Sequence, residues 1–171
     1  MTTTGGNPTL DGGKLAGGTM TASLRCGQSS DHNQAVAMEI DGQCHCGYVG
    51  FEADIDPDRV SICHCTDCQT LTGSAYRVTV LTSRNNVRLT GNSPKVYIKT
   101  GENGHKRLQY FCPECGSPMF TAGEDAAADE WGIRWGSIRQ RRELAPKRQI
   151  WCRSAVAWLD NLRELPSRET D

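Results

Sequence analysis

The chain has 171 residues, of which 37% are hydrophobic, and a formal net charge of −1. That length suits one domain with a moderate core, and the near-balanced charge argues against a general nucleic-acid binder or a polybasic membrane-surface protein. No apolar run reaches the length of a membrane span and no secretory signal is visible, so a cytoplasmic protein without a membrane partner is expected.

Residues 1–37 hold seven glycines and no aromatic residue. Such a stretch cannot bury enough apolar surface to offset its ordering entropy, and it reads as a disordered tail. A domain is expected over 38–166. From Tyr48 onward the chain breaks into strand-length runs rich in Val, Ile, Tyr, Phe or Trp: YVGFEADI, SAYRVTVL, NVRLTG, KVYIKTG, RLQYFC, PMFTAG and EWGIRWGSI. Gly73, Gly91, Gly101, Gly104, Gly116 and Gly123 punctuate them. Helical spacing appears only in SAVAWLDNLREL, where Val156, Leu159, Leu162 and Leu165 share a face. The expectation is a mainly β domain with a short C-terminal helix.

Nine cysteines without an export signal read as metal ligands or reactive thiols before they read as disulfides. In Cys112-Pro113-Glu114-Cys115-Gly116, two intervening residues let both thiolates face one ion. Pro113 stiffens that turn, and Gly116 can adopt the left-handed backbone that aims N–H groups at sulfur. Cys44-His45-Cys46-Gly47 needs a bend to chelate, because alternate strand residues point to opposite faces. Asp41-Gly42 and Gly47 make that bend available. The two pairs together supply the four thiolates of a closed tetrahedral zinc site. Cys63, Cys65 and Cys68 are then left without a fourth cysteine, and three protein ligands plus an open position is the arrangement of catalytic zinc.

The ordered segments GQCHCG, CHCTDCQTLTGSA and YFCPECGSPMF, with a late VAWL, resemble the glutathione-dependent formaldehyde-activating enzyme (GFA) family over residues 38–162. The related centromere protein V domain shares the pattern. The resemblance implies a zinc-stapled, coiled assembly of small β-sheets, a β-tent. It also implies two zinc ions per chain, a structural one on Cys44, Cys46, Cys112 and Cys115 and a catalytic one on Cys63, Cys65 and Cys68. The activity implied is of the carbon–sulfur lyase class, condensing a small-molecule thiol, glutathione, with formaldehyde to S-(hydroxymethyl)glutathione. Many members carry basic residues after the third cysteine of the trio, where this chain has Gln69-Thr70.

Other side chains carry plainer readings. His45 and His64 sit between cysteines, yet solvent-facing or supporting roles suit them better than ligation. Cys26 and Cys152 read as metal-free, Cys152 as a small buried hydrophobe. Trp131, Trp135, Trp151 and Trp158 read as core. Asp67, Tyr76, Arg77 and His105 are polar residues near the motifs. The basic run IRQRRELAPKRQ over 138–149 reads as a solvated loop rather than a nucleic-acid surface, since no aromatics interleave it. Two further functions remain compatible with the cysteines: a non-catalytic zinc-stabilised binding module for chromatin or protein, and a thiol-based zinc or redox sensor.

Overall fold

The computed structural model describes residues 37–125 and 129–170. The tail expected over 1–37 lies, but for Ala37, outside the described residues. In chain order the strands are β1 (Met38–Gln43), β2 (Gly50–Ile55), β3 (Val60–Cys63), β4 (Arg77–Ser83) and β5 (Val87–Leu89). They are followed by β6 (Lys95–Thr100), β7 (Lys106–Phe111), β8 (Pro118–Gly123), β9 (Glu130–Arg134) and β10 (Arg148–Ile150). One α-helix, α1 (Thr66–Thr72), joins β3 to β4. The strands form a three-stranded sheet, β1-β2-β5, and a seven-stranded sheet, β10-β3-β4-β9-β8-β7-β6. All pairings are antiparallel except β10 with β3. The mainly β class expected from the sequence is the class observed.

Every strand-length run named above contains a strand, but β1, β3, β10 and α1 escape a sequence reading. Asp41-Gly42 inside β1 looks like a turn, β3 and β10 are too short to show a period, and α1 has no buried residue to give it an apolar stripe. The C-terminal helix is a 3₁₀ helix over Ala157–Glu164. Of the four residues read onto one face, Val156 and Leu159 are half-buried while Leu162 and Leu165 are 45% and 59% exposed.

Strand alternation gives the large sheet two different faces. Val60, Val80, Ile133 and Phe120 lie in paired register and are fully buried against the small sheet. Phe51 of β2 meets Phe120 edge-on there, ring centres 5.1 Å apart. The opposite face carries Ser61, Cys63, Arg77, Thr79, Arg134, Thr121 and Gln109, again in register. Gly132 sits among them because a Cβ there would lie 2.6 Å from Thr79 Cγ2 and 2.8 Å from Thr121 Cγ2.

This polar face is strongly concave. Arg77 Nη1 reaches across it from β4 to donate to Gln109 Oε1 of β7 at 3.3 Å. The curl brings the edge strand β6 round to α1, where Lys99 pairs with Asp67. The β6–β7 turn likewise reaches the C-terminal segment, where Arg153 pairs with Glu102.

Candidate metal centres

Two hairpin turns from different sheets build the first centre. Residues 44–49 connect β1 to β2 in the small sheet, and residues 112–117 connect β7 to β8 in the large one. Both turns close alike: Cys44 N–H donates to Val49 O at 2.9 Å, and Cys112 N–H to Ser117 O at 2.9 Å. In each, a glycine with positive φ directly follows the second cysteine, Gly47 at 79° and Gly116 at 71°. The ligating atoms of Cys44, Cys46, Cys112 and Cys115 all lie within 4.8 Å of one another, a group that could hold a metal ion. Cys44 and Cys46 sulfurs are 3.5 Å apart and Cys46 and Cys112 sulfurs 3.7 Å. A tetrahedron of thiolates on zinc requires about 3.8 Å between sulfurs, so this donor set fits the ion. A backbone N–H faces sulfur in the first turn, where Val49 donates to Cys44 Sγ at 3.2 Å.

Local chain geometry builds the second centre. Cys63 ends β3, Cys65 caps α1 with its sulfur accepting from Cys68 N–H at 3.4 Å, and Cys68 lies in the first turn. Gly73, left-handed at φ 61°, ends the helix after two turns. The three sulfurs again lie within 4.8 Å of one another, and no fourth Cys, His, Asp or Glu among the described residues joins them. Hydrogen bonding from Cys63, with Cys65 and then the Arg134 and Arg77 charges contributing, lowers the Cys68 pKa to about 6 against the opposing effect of burial. The Cys63 thiol moves up, first because it keeps its proton to donate to Cys68 and then because it is buried.

Around the trio the concave face supplies two guanidinium groups. Arg77 stands opposite Cys63 in the β3–β4 ladder, and Arg134 stands opposite Thr79 in the β4–β9 ladder. They are 5% and 7% exposed. Arg134 donates to Gln109 Oε1 at 2.6 Å and to Thr79 Oγ1 at 2.8 Å. Gln109 is held in turn by donating to Thr121 Oγ1 at 2.9 Å. Desolvation, then the Arg77 charge, lower the Arg134 pKa to about 9, while the trio's sulfurs pull it back up. Both arginines line a cavity of about 920 Å³, together with Tyr76, Trp135, Arg139 and the first centre's Cys44, whereas Cys63, Cys65 and Cys68 are not among its lining residues.

A sequence profile described as glutathione-dependent formaldehyde-activating enzyme matches residues 39–154. The chain belongs to the GFA family. A crystal structure of a Rhodobacter sphaeroides protein is similar at 17% identity, over 58% of this chain and 87% of that one, with a TM-score of 0.46. No curated protein matches the sequence.

The remaining residues fall out around these GFA centres. His45 is exposed, and its backbone N–H donates to Ser117 Oγ. His64 is buried and its Nε2 bonds Gln149 Oε1 at 2.7 Å, so neither histidine joins a cysteine cluster. Gln69, standing where many GFA members are basic, donates to His64 O and Ser154 O at 2.8 and 2.9 Å and ties α1 to the C-terminal segment. Cys152 is half-buried rather than fully inside, and Cys26 lies outside the described residues. Trp131 and Trp135 pack against the core, but Trp151 and Trp158, just before and within the C-terminal 3₁₀ segments, are 40% and 57% exposed. The basic run disperses: Arg139 pairs with Asp41 and Lys147 with Asp58. Arg134 and Gln109 drew no notice in the sequence. The one available signal was that period-2 alternation puts Arg134 on the face opposite Ile133, at the end of a strand whose preceding three residues are Trp, Gly and Ile.

Proposed function

We propose that this protein is a zinc-dependent enzyme of the carbon–sulfur lyase class acting on thiol–aldehyde adducts, with glutathione and formaldehyde the substrate pair of first choice. One observation carries the reading. Three thiols converge beside the buried Arg77 and Arg134, with no fourth ligating side chain among the described residues. Zinc is the ion best suited to both donor sets, since all seven donors are soft thiolates. On this reading Cys44, Cys46, Cys112 and Cys115 hold a structural ion, Cys63, Cys65 and Cys68 a catalytic one, and the domain spans 38–166.

Bound at the trio, zinc would supply a soft Lewis acid able to keep a fourth sulfur deprotonated. The chain's own contribution is electrostatic and positional. Arg77 and Arg134 hold positive charge beside the trio without being able to donate it away, which favours an anionic sulfur there. Carbon–sulfur bond formation joins the substrate's thiolate sulfur to the aldehyde carbon while the carbonyl π pair moves to oxygen. That oxygen then takes up the proton the thiol released, so nothing is oxidised or reduced.

The test is an exchange measurement. Zinc-loaded protein is added to equilibrated ¹³C-formaldehyde with glutathione, and separately with other thiols, and the rate of adduct interconversion is read by NMR. Acceleration over thiol alone is expected for at least one thiol, and its loss in Cys68→Ser. Rates equal to the uncatalysed exchange for every thiol would overturn the reading.

A further inference from the structure

The two edges of the seven-stranded sheet, β6 and β10, are drawn toward one another, but no strand ladder joins them. Two ion pairs span the gap instead. Lys99 of β6 pairs with Asp67 of α1, and Glu102 of the β6–β7 turn pairs with Arg153, just after β10. One side of the gap is α1 with the C-terminal segment, tied by the two hydrogen bonds of Gln69 to His64 O and Ser154 O. The other side is the β6–β7 hairpin, anchored at Gln109, which accepts from Arg77 and Arg134. No residue of α1 is buried, so apolar packing does not lock the helix down. Tyr97 stands across the ladder from Gln109, on the concave face, and is 53% exposed, so that face is open to solvent at this edge.

The trio lies on the same gap. Asp67 directly precedes Cys68 in α1, and Cys63 and Cys65 flank His64, whose carbonyl takes the Gln69 clamp. All three cysteines are half-buried, and the large cavity has none of them among its lining residues. A molecule bound for the trio therefore enters elsewhere. We propose that the gap between β6 and α1 is the entrance to the trio, and that the Lys99–Asp67 and Arg153–Glu102 pairs are latches holding it closed. Ion pairs with solvent-exposed partners contribute little and are screened by salt, whereas strand ladders elsewhere in the sheet must break several backbone hydrogen bonds to open. The gap is thus the part of the wall that opens at least cost. The proposal rests on the trio being the reactive centre.

The test reads access to the sulfurs. The full chain, held in excess zinc at fixed pH, is reacted with N-ethylmaleimide and with a polyethylene-glycol maleimide, and the rate at each cysteine is read by peptide mass spectrometry. Raising NaCl from about 0.05 M to about 0.5 M shortens the screening length to a few ångströms. Modification of Cys63, Cys65 and Cys68 should then speed up about twofold to fivefold, with the larger reagent gaining more and the exposed Cys46 and Cys115 unchanged. At low salt, Lys99→Gln and Glu102→Lys should each have the same effect. Combining Glu102→Lys with Arg153→Glu restores an opposite-charge pair and should return the rate to near wild type. Trio rates indifferent to salt and to both single variants, an equal gain at Cys46 and Cys115, or a swapped pair that fails to slow the reaction would overturn the proposal. If a variant fails to fold, the salt series on the wild type decides alone. Latch-dependent access without any acceleration of formaldehyde exchange would leave the entrance standing and the proposed activity refuted. Acceleration with trio rates indifferent to the latches would do the reverse.

Discussion

Cys46 Sγ lies 3.7 Å from Cys112 Sγ although 66 residues separate them in the chain, and the two belong to turns of different sheets. A metal ion there would join the sheets, so its binding free energy is folding free energy. Cys112→Ser is therefore expected to destabilise the domain grossly or make it insoluble. Cys68→Ser touches a cluster confined to one strand end and one short helix, and should stay folded with one zinc. Circular dichroism melts and zinc counts on both variants check this. Unfolding of Cys68→Ser with a stable Cys112→Ser would show the two sites reversed.

Metal stoichiometry follows from the same division. Elemental analysis after gentle purification should approach two zinc ions per chain. Mild chelation should remove the ion at the trio first, since three protein ligands hold more weakly than four. A preparation with one zinc or none would contradict the assignment.

Which parts of this were legible in the sequence follows from range. The Cys112-Pro113-Glu114-Cys115-Gly116 turn carries its geometry in adjacent residues, so its chelating shape could be read directly. Cys63, Cys65 and Cys68 are likewise local. The arginine pair was not legible, because Arg77 and Arg134 are brought together only by the neighbouring β4 and β9 strands, and Gln109 joins them from β7, two strands beyond β9. β10 was invisible for the same reason: three residues with no apolar period become a strand by pairing in parallel with β3.

Gly42 offers a test of how tightly the small sheet meets the rest. A Cβ at this position would lie 2.2 Å from the backbone oxygen of Ser137 and 2.5 Å from Phe51 Cζ. Backbone cannot step aside as a side chain can. Gly42→Ala should cost about 1–3 kcal/mol and lower the Tm by roughly 5–10 °C. A melt unchanged from wild type would mean that the Gly42–Ile138 bridge is loose in solution.

A chain begun at Met38 keeps β1 whole, together with all six of its register partners in β2. Deleting residues 1–37 should therefore leave zinc content unchanged and shift the Tm by no more than about 3 °C. A larger fall, read by differential scanning fluorimetry, would show that the deleted residues contribute to the fold.

The first centre also has an inside and an outside. Cys44 and Cys112 are 2% and 0% exposed, while Cys46 and Cys115, contributed one by each turn, face solvent. Damage and exchange at that centre are consequently directional. A peroxide, a competing soft cation or a chaperone's thiol meets Cys46 or Cys115 first, and the inner pair stays sheltered while the outer pair opens. Loss of the ion by that route would undo the tie between the two sheets, so damage that begins at two exposed sulfurs would be felt through the whole fold.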